Sequence, residues 1–297
     1  MSNKTLGYVY LALAMLLVGS TVVASKIVAG ALPPFTATAL RFALALPCFL
    51  ALLRVSGTRL PRPGMRDAAL LVLQGLAGTA GYTALLMAGL RTTSAVDAGV
   101  ILGTLPVAAA VVAVLVLGER PRPALLVTIA LAALGLYVLN RQPAGGAAGS
   151  RAGNAHVCAA VLCEALFILL NKRLRVDVPP LALSTLMSAI GLAAALPFAL
   201  AEAAWNAPVA APALLAVGYY ALLPTVGGFL LWYAGTARVG GGEAALFTAL
   251  APVAALLLAA VILGEPVGAR QLAGSAFVLA AVGALGWSAN RDRPARR

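Results

Sequence analysis

Apolar stretches of about 20 residues recur along the whole chain, and they constrain its fold more than any other feature of the sequence. A helix rises 1.5 Å per residue, so about 20 apolar residues cross the roughly 30 Å hydrocarbon core of a bilayer. The 297 residues are 62% hydrophobic and 10% charged, whereas a soluble domain is roughly 45–50% apolar and about 25% charged. The sequence therefore predicts an all-α membrane protein and excludes a water-soluble fold.

Charged residues, prolines and glycines divide the apolar sequence into ten candidate transmembrane helices. They cover residues 6–29, 34–53, 68–90, 95–117, 123–140, 154–173, 180–201, 212–236, 243–263 and 268–289. The sequence shows no soluble domain beside them. We therefore expect the function to be carried out inside the lipid bilayer.

The basic residues indicate how the chain is oriented in the membrane. With a cytoplasmic amino terminus, fifteen of the 21 lysines and arginines fall on the cytoplasmic side and five on the other side. The positive-inside rule then places both termini in the cytoplasm. The net charge of +12 lies in short connections between apolar segments, so it indicates orientation, and we expect no nucleic-acid partner.

The chain matches itself at an offset of 146 residues. The matched pairs are Lys26 with Lys172, Pro33 and Pro34 with Pro179 and Pro180, Asp97 with Glu243, Pro106 with Pro252, and Leu-Gly-Glu at 117–119 with Leu-Gly-Glu at 263–265. Matched prolines and charges without a gap indicate a tandem duplication. The predicted units are a first five-helix repeat at residues 1–142, a flexible linker at 143–153 and a second repeat at 154–297.

An odd number of helices in each repeat makes the second repeat enter the membrane from the opposite side. The loops agree, because residues 54–66 form a basic cytoplasmic loop, whereas the corresponding loop of the second repeat carries only Glu202. Inverted repeats are typical of transporters that hold their substrate near the midplane, between the repeats. We therefore expect transport by alternating access.

The repeated Leu-Gly-Glu sequence marks the end of a helix in each half. Pro121 and Pro266 block continuation of the helix, and Glu119 and Glu265 come near the start of the next helix, where the helix dipole favours negative charge. Because inversion places the two carboxylates at opposite faces, they cannot form one site. We expect a structural role for both.

Several stretches resemble the EamA-type ten-helix transporters of the drug/metabolite transporter superfamily. They are GSTVVASK at 19–26, LPPFTATALRFALA at 32–45, the segments 106–119 and 252–265, and LLWYAGTARVGGGEAAL at 230–246. The resemblance implies a bacterial inner-membrane carrier for small metabolites, often an exporter of amino acids. It also implies a central cavity lined by the first four and the sixth to ninth helices, with the fifth and tenth at the periphery.

Two ionisable residues, Arg41 and Glu164, lie well inside predicted helices, where charge is costly and usually functional. Both are roughly 10–15 Å from the outer face. Their counterparts in the other repeat are Met187 and Val18, so both charges break the symmetry. They could pair with each other, or meet the carboxylate and amino groups of a zwitterionic substrate. The alternative is a structural role for both residues, in which the Arg41 side chain extends toward the membrane interface and Glu164 neutralises its charge.

Other polar and aromatic residues near mid-span are candidates for the cavity wall, because polar groups in hydrocarbon tend to face the bundle interior. They are Ser20, Thr21, Tyr82, Trp232 and Thr248. Lys26 and Lys172 close the first and sixth spans at opposite faces, as expected of a gate or of interface anchors. Glycines 75, 78 and 81, with glycines 227 and 228, favour either close helix packing or hinge motion.

Transport of a small molecule is the function that these features predict, with export of amino acids or related metabolites first and efflux of lipophilic cations as the alternative. An intramembrane enzyme needs converging histidines and carboxylates, or a nucleophile with its base. One histidine and nine acidic residues, nearly all at helix ends, do not supply such a set. We expect no enzymatic activity, cofactor or metal site.

The inverted topology can be tested by cysteine labelling. A cysteine replacing Arg62 should react with a membrane-impermeant maleimide from the cytoplasmic side, and one in the stretch around Glu202 should react from the outer side, because the two loops are equivalent in inverted repeats. Labelling of both positions from the same side would contradict the inversion.

Overall fold

The computed structural model describes residues 3–117, 123–140, 150–204, 208–239, 244 and 247–291, and within these ranges every regular element is helical. In chain order the elements are α1 (Asn3–Ala29), α2 (Pro34–Ser56), α3 (Met65–Gly75), π1 (Leu76–Gly81), α4 (Tyr82–Leu90), α5 (Ala95–Leu102), α6 (Leu105–Leu117), α7 (Pro123–Asn140), α8 (Arg151–Lys172), α9 (Pro180–Glu202), α10 (Ala211–Tyr220), π2 (Ala221–Gly227), α11 (Gly228–Thr236), α12 (Leu250–Leu263) and α13 (Ala269–Arg291).

Six of the described helices are long and apolar enough to cross a membrane, and the membrane class is therefore confirmed. They are Asn3–Ala29, Pro34–Ser56, Met65–Leu90, Arg151–Lys172, Pro180–Glu202 and Ala211–Thr236. A seventh span is the pair α5 and α6, which is bent by 47°. Shorter apolar helices occupy the predicted fifth, ninth and tenth spans, so the count of ten spans stays a prediction.

Helix α8 begins at Arg151, three residues before the predicted start of the sixth span at residue 154. The preceding residues 143–149 lie outside the described part of the chain. Ser150 already precedes the first helical turn in an extended conformation.

A π-helical turn interrupts the third predicted span and another interrupts the eighth. The 146-residue offset places π1 on residues 222–227, which lie within π2. In π2, Pro224 lacks the N–H that an α-helix needs at that point. Because of the 146-residue offset, the two π-helical turns lie at equivalent positions of the two halves.

The glycines around π1 are needed for close packing. A Cβ atom on Gly78 would lie 2.3 Å from the ring of Phe167, and one on Gly75 would lie 2.5 Å from Ile190. By contrast, a Cβ on Gly227 or Gly228 would meet no atom closer than 3.6 Å. Packing therefore explains the first glycine cluster, and a hinge at either cluster stays a prediction.

The two halves pack against each other in equivalent helix pairs. Helix α1 packs on α11 and α12 of the second half, and its counterpart α8 packs on α4 and α6 of the first half. Helix α2 lies against α9, and α7 lies against α13. The result is one interlocked bundle with a shared core.

Glycines let two of these pairs cross closely. A Cβ on Gly235 would lie 3.1 Å from the carbonyl oxygen of Gly7, where α11 crosses α1. A Cβ on Gly89 would lie 2.8 Å from the carbonyl oxygen of Gly153, where α4 crosses α8. The two glycine contacts are equivalent at the 146-residue offset, and one lies at each end of the bundle.

Glu265 has the structural role predicted for it, but it acts on a different helix. Its carboxylate accepts hydrogen bonds from the backbone N–H groups of Ala95 at 3.0 Å and Val96 at 2.9 Å. It thereby caps α5 in the opposite half, not the helix that follows it in sequence, and satisfies N–H groups that the first helical turn leaves free. Glu119 lies outside the described residues.

Glu202 caps α2 in the same way across the two halves. Its carboxylate accepts hydrogen bonds from the N–H groups of Phe35 at 3.2 Å and Thr36 at 2.7 Å. Carboxylates at helix ends thus join elements that are more than 160 residues apart in sequence.

Replacing Glu265 by alanine should lower the stability of the protein by about 1–3 kcal/mol, because two N–H groups at the start of α5 lose their acceptor. The thermal unfolding midpoint in detergent measures the change. Asp177→Ala is the matched control, since Asp177 is an exposed carboxylate in the loop before α9. Equal midpoints for the two variants would contradict the capping role.

Candidate functional site

A central cavity of about 580 Å³ lies between the two halves. Eight aromatic side chains contribute to its wall, together with polar residues and two charged residues, Arg41 and Glu164. The aromatic residues are Phe42, Phe49, Tyr82, Phe167, Tyr220, Phe229, Trp232 and Tyr233. The volume falls in the range of roughly 300–1,000 Å³ that is typical of sites for small molecules.

The cavity reaches the surface at one end of the bundle. Its wall continues to Asn171 at the end of α8, Ser184 at the start of α9 and Tyr233 near the end of α11, and Asn171 is exposed. We call this end the Lys172 face, because Lys172 is the last residue of α8. The opposite end, at the end of α1 and α4, is called the Lys26 face.

The Lys26 face is closed by apolar packing. Beyond the cavity wall lie Val28, Leu32, Leu90, Val96 and Val157, each at most 1% exposed. The cavity wall therefore extends toward the Lys172 face, whereas packed side chains fill the Lys26 face.

Cations bound to carbonyl oxygens secure the closed face. Lys26 Nζ donates to the carbonyl oxygens of Leu90 at 2.7 Å and Thr93 at 2.5 Å. Arg91 reaches in the other direction and donates to the carbonyl oxygens of Ala29 at 3.3 Å and Leu32 at 3.0 Å. Carbonyl groups at helix ends lack intrahelical donors and carry the negative end of the helix dipole, so they favour such partners.

Arg41 is held in place by groups on three other elements. Its Nε donates to Thr225 Oγ1 and its Nη1 to Thr83 Oγ1, both at 3.1 Å. The guanidinium carbon lies 3.8 Å from the ring centroid of Tyr220 and 4.8 Å from that of Phe42, which adds cation–π attraction. Arg41 is therefore a fixed positive charge in the cavity wall.

Thr225 is available to Arg41 because of the π-helical turn. Its hydroxyl donates to the carbonyl oxygen of Tyr220, five residues earlier, at 2.8 Å. It then accepts the hydrogen bond from Arg41 Nε. Thr225 is not among the predicted cavity residues, although Pro224 before it and Gly227 and Gly228 shortly after it indicate an irregular helix.

Glu164 lies in the cavity wall on α8 and is only partly buried. Within the described residues its carboxylate has no hydrogen-bond donor and forms no ion pair. Arg41 and Glu164 therefore form no direct ion pair in this conformation, although the two groups are near enough for electrostatic attraction. A carboxylate that faces a cavity without a protein partner can accept a cationic group from a ligand.

The structure places most of the other predicted residues in the wall. Thr21, Tyr82, Trp232 and Thr248 line the cavity. Ser20 is next to the cavity-lining residues Gly19 and Thr21 but does not line the cavity itself. Its hydroxyl donates to the carbonyl oxygen of Leu17 and shares a hydrogen bond with the Tyr219 hydroxyl, each at 2.7 Å.

Two further expectations concern the edges of the site. The last helix, α13, contributes Leu279 and Val282 to the cavity wall, so its expected peripheral position is only partly correct. Lys172 lies exposed at the mouth of the cavity, while Lys26 is partly buried at the closed end. The lysine pair thus occupies opposite ends of the bundle in two different environments.

Apolar helices that enclose a cavity lined by one arginine and one glutamate define an integral membrane transporter for small molecules. The chain belongs to the EamA-like transporter family, whose model matches residues 5–141 and again residues 151–287. The resemblance seen in the sequence is therefore confirmed, and the family match itself falls into two repeats.

Individual relatives support the same assignment. The chain is 35% identical over 287 residues to the uncharacterized transporter YetK of Bacillus subtilis, covering 94% of this chain and 87% of that protein. It is 30% identical over 223 residues to a probable terminal-alkyne amino-acid exporter of Streptantibioticus cattleyicolor, covering 74% of each. A solved crystal structure with 22% sequence identity shares the fold, with a TM-score of 0.65 over 98% of this chain and 99% of that chain.

Replacing Thr225 by valine should lower stability by about 1–2 kcal/mol, because Arg41 Nε and the carbonyl oxygen of Tyr220 both lose a partner. Thr21→Val is the matched control, since the Thr21 hydroxyl bonds only to the carbonyl oxygen of Val18 on its own helix. Thermal unfolding in detergent compares the two variants. An equal loss in both would show that Thr225 does not hold Arg41.

Proposed function

We propose that the protein exports amino acids or closely related metabolites across the bacterial inner membrane by alternating access. The observation that carries this proposal is an arginine and a glutamate in one cavity without a direct ion pair: Arg41 is held by its own partners, and Glu164 lines the same cavity. A zwitterionic substrate matches both charges, its amino group at Glu164 and its carboxylate toward Arg41.

The two charges come from different halves, Arg41 from α2 and Glu164 from α8. Their counterparts Met187 and Val18 also line the cavity. A frame built from two equivalent halves therefore carries an asymmetric pair of charges. Such a pair suits a substrate whose two ends differ, and a role in folding alone would not require the asymmetry.

The proposed cycle uses the two repeats, residues 1–142 and 154–297, in opposite orientations, joined by a linker over 143–153. With both termini in the cytoplasm, the Lys172 face is cytoplasmic, and the cavity is open to the side from which an exporter loads its substrate. Inverted repeats give each half an equivalent contact at the opposite face. The probable amino-acid exporter among the relatives supports this choice of substrate.

Efflux of lipophilic cations is the second candidate function, and one observation favours it. A carboxylate without a protein partner in a wall of aromatic rings also suits a large organic cation. Such a substrate would use Glu164 and the rings and would have no need of Arg41.

Counterflow in proteoliposomes tests the role of Glu164. Free amino acids should exchange at least about tenfold better than their N-acetyl derivatives, because acetylation removes the positive charge that binds Glu164. Glu164→Gln should abolish that preference, whereas Asp177→Asn should retain it. A Glu164→Gln variant that still prefers the free amino group would contradict the assignment.

The same vesicles separate the two candidate functions. Tetraphenylphosphonium is offered together with the amino-acid panel. If this cation exchanges in the parent protein and no amino acid does, lipophilic-cation efflux replaces amino-acid export as the function.

A further inference from the structure

Lys26 and Lys172 occupy equivalent positions in the two halves, but only Lys26 is bonded in this conformation. Lys26 Nζ holds the carbonyl oxygens of Leu90 and Thr93 at the closed face. Lys172 is exposed at the open face, and its side chain makes no hydrogen bond or ion pair with any other described residue. At the 146-residue offset, the carbonyl groups that correspond to those of Leu90 and Thr93 belong to Thr236 and Val239.

We propose that Lys172 is the second gate of the transporter and that, when the Lys172 face is closed, its ammonium group donates to the carbonyl oxygens of Thr236 and Val239. The inference rests on the proposed alternating access. It names the residue and the two acceptors that stabilise the conformation opposite to the one described here.

The backbone leading to the proposed acceptors matches that of the closed face as far as residue 238. After α4, the N–H of Arg91 donates to the carbonyl oxygen of Met87 at 3.2 Å, and the N–H of Thr92 to that of Gly89 at 3.0 Å. The turn after α11 repeats these two hydrogen bonds. The N–H of Ala237 donates to the carbonyl oxygen of Tyr233 at 3.1 Å, and the N–H of Arg238 to that of Gly235 at 2.9 Å.

The helices that carry this turn are also held in equivalent ways. The crossing of Gly7 with Gly235 fixes α11 on α1, just as the crossing of Gly89 with Gly153 fixes α4 on α8. The halves differ in a third contact. The end of α1 packs on α4 and α5, whereas α8 and α11 do not pack together to a comparable extent. Closure of the Lys172 face therefore requires the end of α8 to approach α11.

A lysine side chain is suited to this task. Its flexible stem lets the ammonium reach acceptors a helix width away, and its three donors can bind two carbonyl groups at once. Thr236 ends α11, so its carbonyl group lies at the negative end of a helix dipole. Each gate stabilises one conformation, and loss of either should shift the conformational equilibrium on the order of tenfold.

Accessibility of the cavity measures this equilibrium without any substrate. Cys48, Cys158 and Cys163 are replaced by alanine, and Ser184→Cys in the cavity wall serves as the reporter. Its rate of labelling by a membrane-impermeant maleimide is measured from the Lys172 face in vesicles. Lys26→Met should lower this rate several-fold, because the Lys26 face loses its gate and the opposite conformation becomes more populated.

Adding Lys172→Met to the Lys26→Met protein should restore the fast labelling of the parent, since both gates are then absent. The protein with Lys26→Met and Arg173→Met is the matched control, and its Ser184→Cys reporter should still be labelled slowly. Labelling should also remain slow when Lys26→Met is combined with Lys172→Arg, because arginine keeps the positive charge. Gel filtration and thermal unfolding verify that each variant is folded. A variant that is not folded is replaced by the corresponding glutamine substitution.

Slow labelling of the Lys26→Met, Lys172→Met protein would overturn the inference, as would unchanged labelling of the Lys26→Met protein. As a second measurement, a short bis-maleimide should cross-link Lys172→Cys to Val239→Cys in the same protein. Adding Lys26→Met should increase the yield of cross-linked protein, because the closed Lys172 face becomes more populated. Because labelling needs no substrate, these results are independent of the counterflow experiments. If the protein does not export amino acids, the labelling results still test the Lys172 gate. If the labelling results contradict the gate, the counterflow experiments still test the substrate.

Discussion

The structure depends on one constraint: inside hydrocarbon, every backbone N–H and C=O group needs a partner within the protein. Helices satisfy this along their length and leave it unsatisfied at their ends. This chain supplies some of the missing partners from the opposite half and some from the same half. Glu202 and Glu265 bind the first N–H groups of helices in the opposite half. Lys26 and Arg91 bind carbonyl groups where α1 meets the turn after α4.

In the proposed alternating access, these end contacts decide where the bundle opens. Apolar side chains pack with little preference for one neighbour when lipid is the alternative, so they do not by themselves hold a face shut. A cation on two carbonyl oxygens is directional and has only two states, bound and unbound. The bundle therefore combines glycine crossings at both faces with a lysine bound to two carbonyl oxygens at only one of them among the described residues.

Much of the frame could be predicted from the sequence, because a self-match with conserved spacing of prolines and charges reports the repeat directly. The partner of Glu265 could not be predicted, since the contact with Ala95 spans 170 residues and arises only when the two halves interlock. For the same reason the sequence allowed Arg41 to pair with Glu164. The structure shows that Thr225 and Thr83 occupy the guanidinium group instead, and that Ser20 faces a neighbouring helix.

The π-helical turns have a consequence for how the cavity of this protein can change. Each inserts one extra residue into a helix, so the segment that follows is rotated by about 100° relative to an uninterrupted α-helix. In the second half that rotation orients α11, with Trp232 and Tyr233, toward the cavity. Removing a single residue from π2 would turn both rings away from the ligand space while leaving the helix intact. Which side chains line the cavity therefore depends on the rotation of α11 about its axis as well as on the residues that it carries.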